Sequence, residues 1–207
     1  EQNNSPIPYM HVFATLQLLK QICNHPSLVT GKNWKLHESG KFELFKELLN
    51  EAFGSRHKVV VFTQYVGMIG IISEYLKSLE VEHSILTGAT KNRGQVIDNF
   101  QTNPNCKVFV GSLLAGGIGI DLTAASVVIH YDRWWNASKE NQATDRVHRI
   151  GQKQAVQVIK MVTKGTLEEK IDQMITSKKM LFDQYMDKDE ELFKKLTKQE
   201  LIQLLSG

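Results

Sequence analysis

Short runs rich in apolar and β-branched residues recur along this chain at 59–62 (VVVF), 84–87 (SILT), 107–110 (KVFV), 127–131 (VVIHY) and 156–162 (VQVIKMV). The first is unbroken by any polar residue, the pattern of a strand covered on both faces. Between the runs lie helical spacings: Ile69, Ile72, Tyr75, Leu76 and Leu79 over 66–79, then Val96, Ile97 and Phe100, then a segment at 138–150. Strands alternating with helices predict an α/β fold, a parallel sheet with helices on both faces. Two helices precede the first strand. One spans 9–23, with Val12, Leu16, Leu19 and Ile22 at helical spacing, and Asn24-His25-Pro26 stops it. The other is capped by Ser39 and ends near Gly54, with 27–38 read as loop. From Thr166 onward the chain is charged and helical. The expected organisation is a helical segment at 1–38, an α/β lobe at 39–165 and closing helices at 166–207.

Composition narrows the class. The formal net charge is +3 over 207 residues, too small to imply nucleic acid without knowing where the cations sit. Cys23 and Cys106 are the two cysteines, which excludes a disulfide-rich scaffold and a Cys-built zinc site. No apolar run reaches the roughly 18 residues of a membrane helix. The N-terminal stretch is polar, lacks a signal-peptide core and carries no initiator Met. The expectation is a soluble, intracellular chain that is part of something longer.

Missing motifs exclude a self-sufficient nucleotide enzyme. Neither Gly31-Lys32 nor Gly40-Lys41 is followed by Ser or Thr or preceded by the glycine a phosphate-cradling loop needs. The acidic pair Asp189-Glu190 lies in a charged helical stretch, not at a strand end, so no magnesium-holding carboxylates are expected. The glycines of 116–119 fail the dinucleotide fingerprint because Leu122 stands where the third glycine belongs. No metal-ligand spacing and no nucleophilic triad stands out.

The most informative segment is 142–152, QATDRVHRIGQ. On a helix, Gln142, Arg146 and Arg149 share one face. Two permanently charged, five-donor forks suit a polyphosphate; alone, they are equally a solvated pair. Upstream, a glycine-rich stretch follows a strand, and such glycines let backbone N–H groups approach an anion. Asp121 there accepts either from a sugar hydroxyl or from its own turn.

These segments resemble, in order, the second RecA-like lobe of the Swi/Snf-type ATPases of helicase superfamily two. The resemblance is carried by 19–26 (LKQICNHP), 39–41 (SGK), 58–64 (KVVVFTQ), 86–93 (LTGATKNR), 112–125 (SLLAGGIGIDLTAA), 132–136 (DRWWN), 142–152 and 165–170 (GTLEEK), and the ending at 197–206 is similar to bacterial members. It implies a RecA-like sheet with helical N- and C-terminal appendages. It implies an ATP-dependent hydrolase acting as a double-stranded DNA translocase, in which ATP and Mg2+ are held mainly by an absent first lobe. Arg146 and Arg149 match arginine fingers; Gln142, Gly119 and Asp121 match nucleotide-side positions. Thr63, Gln64, Lys91, Arg93, Ser112, Ala115, Gly116, Gly117 and Trp134 match or suggest sequence-independent phosphate contacts. Trp134 and Trp135 are expected either as exposed indoles bracing a phosphate strand or the other lobe, or as packing within this lobe. Ala137, Leu114 and Ile120-Asp121 depart from the family's usual proline, cation and Leu-Asn. The implied partners are duplex DNA, the first lobe of the same protein and a DNA-bound protein complex, with no membrane. The implied place is the cytoplasm at a bacterial nucleoid, with the nucleus as alternative. The isolated chain is expected to be inactive. Two other classes remain: a RecA-like module that docks protein or DNA without ATP, and a nucleotide-sugar transferase domain.

Overall fold

A computed structural model describes residues 9–112, 119–135, 137–177 and 197–205. The chain opens with α1 (Tyr9–Asn24), a short α2 (Ser27–Thr30), a 3-10 turn (Trp34–Leu36) and α3 (Gly40–Gly54). Then follow β1 (Val59–Thr63), α4 (Val66–Ser78), β2 (His83–Leu86), α5 (Arg93–Thr102), β3 (Val108–Ser112) and β4 (Val127–His130). The last elements are α6 (Ala137–Thr144), β5 (Gln157–Lys160), α7 (Leu167–Ser177) and α8 (Lys198–Leu205). The five strands form one sheet in the order β2-β3-β1-β4-β5, every pair parallel.

The unbroken VVVFT run is central, and all five of its residues are buried. Side-chain alternation divides the core into two layers. Val59, Val61, Val108, Val110, Val127 and Ile129 meet Phe42, Phe45 and Leu49 of α3 and Met68, Ile72 and Leu76 of α4. On the opposite face Val60, Phe62, Phe109 and Val128 meet Phe100, Ile120, Leu122, Ala143 and Val147. A third cluster lies beside the sheet, where Leu16 of α1 and Trp135 pack with Leu167, Ile171 and Ile175 of α7 and Leu201 and Leu204 of α8.

Ser39 caps α3 as expected, its hydroxyl accepting from the Phe42 N–H. The 27–38 segment, expected as loop, contains a helical turn and a 3-10 turn instead. The second is capped by the Asn33 side chain, a cap that apolar periodicity does not reveal. Ile22, expected on the apolar face of α1, is exposed. The stripe that faces inward is Leu16, Lys20 and Asn24, spaced i, i+4, i+8.

Candidate functional site

Because every strand is parallel, the carboxyl ends of all five open on one edge of the sheet, where open α/β sheets bind ligands. Lys91 and Arg93, both exposed, follow β2. Ser112 ends β3 in register with Thr63 at the end of β1, and Gln64 comes next. Residues 131–135 follow β4. Ala115, Gly116, Gly117, Leu114, Asn136 and the Asp189-Glu190 pair lie outside the described residues.

Two expectations at this edge are corrected. Thr63 is wholly buried and its hydroxyl donates to Asp132 Oδ2 at 3.2 Å, so it braces the strand end instead of presenting its hydroxyl to solvent. Trp134 and Trp135 are 2% and 0% exposed. The chain turns inward after Asp132 because Glu140, itself buried, accepts from both the Trp134 N–H and Arg133 Nε at 2.9 Å. Trp135 joins the third cluster, and Lys139 Nζ sits 5.5 Å from the Trp134 ring. These indoles are packing. Gln64 remains partly open, its side-chain amide donating to the Arg133 carbonyl at 2.9 Å.

The arginine segment is a third correction. The α-helix ends at Thr144, short of the expected 150, and the chain continues in turns. Arg146 N–H donates to Ala143, and Val147 N–H to Thr144, at i→i+3 spacing. The Arg146 carbonyl, freed from any helix, accepts from the Leu122 N–H at 2.9 Å, and Val147 is buried in the second core layer. Gly151, at φ 109°, reverses the chain in a conformation that side chains resist. Gln152 then locks the turn: its Nε2 donates to the carbonyls of Ala125 (2.7 Å), Thr123 (3.1 Å) and Val147 (3.2 Å). Arg146 and Arg149 are therefore displayed by a pinned turn, not by one helix face.

The pinning brings the expected nucleotide-side residues together. The Leu122–Arg146 bond ties the segment holding Gly119 and Asp121 to the arginine turn, and Gln142 is exposed in the last turn of α6. Gly119 has φ 91°, a conformation suited to glycine. Asp121 accepts from the Thr123 N–H at 3.0 Å, so one oxygen caps the local turn. Arg149 is exposed; Arg146 is half-buried, and its Nε is buried with no hydrogen-bond partner among the described residues. A polar cleft lined by Gln101, Thr123, Ala124, Gly151, Gln152 and Lys153 adjoins the turn. The donors suit an anionic oxygen ligand. Among the described residues, no group of three or more His, Cys, Asp or Glu could hold a metal ion. Nor is any of their helices long and apolar enough to cross a membrane.

A buried charge network was not foreseen. Lys20, Asn24, Asp132, Glu140 and Glu168 are all 0% exposed. Lys41 Nζ meets Glu168 Oε1 and Oε2 at 2.5 and 2.7 Å and Asn24 Oδ1 at 3.1 Å. Asn24 Nδ2 donates to Asp132 Oδ2 at 3.2 Å, and the Gln64 N–H donates to Asp132 Oδ1 at 3.1 Å. Lys20 Nζ donates to the Arg133 carbonyl at 2.8 Å. Arg133 also pairs with Asp172, and Lys160 with Glu140 at 2.8 Å. The recurrent pieces LKQICNHP, SGK, DRWWN and GTLEEK thus meet one another. The available signal was that Lys20 and Asn24 share the helical stripe of Leu16.

This network and the neighbouring His130 titrate in opposite senses. Burial holds His130 down to about 4, and burial pushes Asp132 up to about 6 against the pull of Lys20 and Lys41. His130 therefore contributes stability that is full above about pH 6.5 and lost toward pH 4. Asp132 takes up its proton more readily folded than unfolded, so its contribution grows as pH falls through about 6. The two slopes oppose each other between about pH 4 and 6. In urea unfolding of the chain and its His130→Gln variant, the advantage of the native histidine should shrink steadily between about pH 6.5 and 4. A constant difference would show that His130 is not held neutral.

A parallel five-stranded sheet with an arginine-bearing turn over one face and polar strand ends along one edge defines a RecA-like α/β lobe. A family model described as the helicase conserved C-terminal domain matches residues 40–151. An uncharacterized ATP-dependent helicase of Mycoplasma pneumoniae is 38% identical over 196 residues, covering 94% of this chain and 19% of the relative. The putative ATP-dependent helicase/translocase YwqA of Bacillus subtilis is 40% identical over 201 residues, 94% of this chain and 22% of that protein. Among solved structures, the Sulfolobus solfataricus SWI2/SNF2 ATPase core in complex with dsDNA aligns with TM-score 0.80 at 40% identity, over 97% of this chain and 43% of that one. The C-terminal domain of the same ATPase aligns with TM-score 0.77 at 37% identity, over 97% and 83%. The chain belongs to the helicase C-terminal domain family, as the RecA-like C-terminal lobe of the Swi2/Snf2 type. It spans about a fifth of the length of the curated relatives it matches best among those described.

Proposed function

We propose that this chain is the second motor lobe of an ATP-dependent translocase on double-stranded DNA, completing a nucleotide site whose phosphate-cradling part lies on a first lobe of the same protein. The observation that carries the reading is the pinned turn, which holds Arg149 in solvent and leaves a buried Arg146 Nε without a partner among the described residues. ATP supplies the phosphoanhydride to be cleaved. Arg146 and Arg149 would neutralise charge on its oxygens, Gln142 would orient it, and Gly119 and Asp121 would border it. With no acidic cluster among the described residues, Mg2+ would be held by the first lobe.

The sheet edge supplies the DNA side. Lys91, Arg93, Gln64 and Ser112 would grip phosphates, which gives hold without sequence readout. Closure on ATP and reopening after hydrolysis would then step the lobes along the duplex. A Sulfolobus relative solved with dsDNA supports this reading, as do bacterial relatives named as helicases. A bacterial cytoplasm, at the nucleoid, is the corresponding place.

The purified 207-residue chain should hydrolyse no ATP with or without duplex DNA, whereas the parent protein should do so when duplex is added. The chain alone should bind duplexes of unrelated sequence equally. Its affinity should fall with salt by a log–log slope of about 0.9 per phosphate contact, as fluorescence anisotropy would measure. Hydrolysis by the isolated chain, or salt-independent binding, would overturn the assignment.

A further inference from the structure

Ile150 stands out among the apolar side chains. It is 105% exposed, while the other exposed large hydrophobics among the described residues reach at most 73%. Scattered surface apolar residues need no explanation, but this one does not sit on a yielding loop. It lies between Arg149 and Gly151, on the turn that Gln152 fastens to three carbonyls and that Leu122 and the buried Val147 anchor from the other side. The same restraints that hold Arg149 hold Ile150, with its side chain fully in solvent. A β-branched side chain loses little further freedom when it enters a pocket.

We infer that Ile150 is a positioning residue that inserts into an apolar recess of the first lobe when the cleft closes, and so seats Arg149 against the nucleotide. The occupant committed to is the first lobe, because Ile150 directly follows Arg149 on the same restrained turn and both are exposed. Most of the length of the relatives lies outside this chain to provide that surface. This rests on the assignment of Arg149 to a nucleotide shared between lobes.

The test uses the parent protein carrying one dye on each lobe, with duplex DNA and a non-hydrolysable ATP analogue as probe. Losing the burial of one isoleucine side chain should raise the analogue concentration for half-closure in Ile150→Ser by about tenfold or more. The apparent KM for ATP should rise in parallel, and turnover at saturating ATP should change by less than about threefold, by the same reasoning of binding energy lost uniformly. Ile150→Leu should restore closure, and the isolated Ile150→Ser chain should melt as the native one does. Unchanged closure in Ile150→Ser, or a lowered melting temperature, would overturn the inference. So would concentration-dependent self-association of the native chain that Ile150→Ser abolishes, since the recess would then lie on a second copy. Loss of turnover in Arg149→Ala with normal closure in Ile150→Ser would sink this inference alone. Undiminished turnover in Arg149→Ala would remove the reading beneath it.

Discussion

Arg149→Ala in the parent protein should abolish DNA-stimulated ATP turnover, with a fall in kcat of about 10³-fold or more, the effect of removing a fixed cation from a transferring phosphoryl group. The size follows from preorganisation. Gln152 and the Leu122–Arg146 bond hold the turn before any ligand arrives, so no reorganisation is required at the moment charge develops. Duplex affinity should change little, because Arg149 lies on the arginine turn over one face of the sheet and not among the strand-end residues. Arg149→Lys should remain slow, since a compact ammonium lacks the planar fork. Steady-state ATPase with saturating duplex, together with anisotropy on the same protein, separates the outcomes. Undiminished turnover would favour a docking module without ATP coupling.

The second large effect concerns stability. Lys41→Met should cost about 3–5 kcal/mol of unfolding free energy, because it leaves the Glu168 carboxylate buried without its cation. Both partners are nearly inaccessible, with side chains 3% and 0% exposed, and the remaining Thr163 N–H cannot replace a bidentate ammonium. The double replacement Lys41→Met with Glu168→Leu should recover most of the loss, since an uncharged pair of similar bulk leaves no buried charge unpaired. Breaking the exposed Lys46–Glu43 pair should cost only about 0.2–1 kcal/mol. Urea titrations of the four chains measure these differences. A loss below about 1 kcal/mol in Lys41→Met would show that Glu168 becomes solvated or protonated without penalty.

Much of the fold was legible because strand and helix periods differ. The VVVF run sits at the centre of the sheet, and the 66–79 pattern became α4 almost residue for residue. What failed was long-range. Nothing local says that the N–H of Leu122 captures the Arg146 carbonyl, yet that bond helps end α6 early and turns a helix face into a pinned loop. A place just past a strand end left Trp134 and Trp135 open either to contact or to packing; Glu140 folds that segment inward, and packing is the outcome. Thr63 looked available for the same reason and is consumed by Asp132. The segments expected on the nucleotide side do lie together, since the Leu122–Arg146 bond joins the stretch holding Gly119 and Asp121 to the arginine turn. The charged knot was missed because its members come from many separate segments, and charge in a motif reads first as contact with a ligand.

That knot has a mechanical consequence. Asn24 on α1 and the Gln64 N–H at the tip of β1 share one carboxylate, and Lys41 joins Asn24 to α7 through Glu168. Force applied to either helix is therefore delivered to the strand tips without slack. Under the proposed function, the flanking helices and the sheet would travel through each stroke as a single stiff lever.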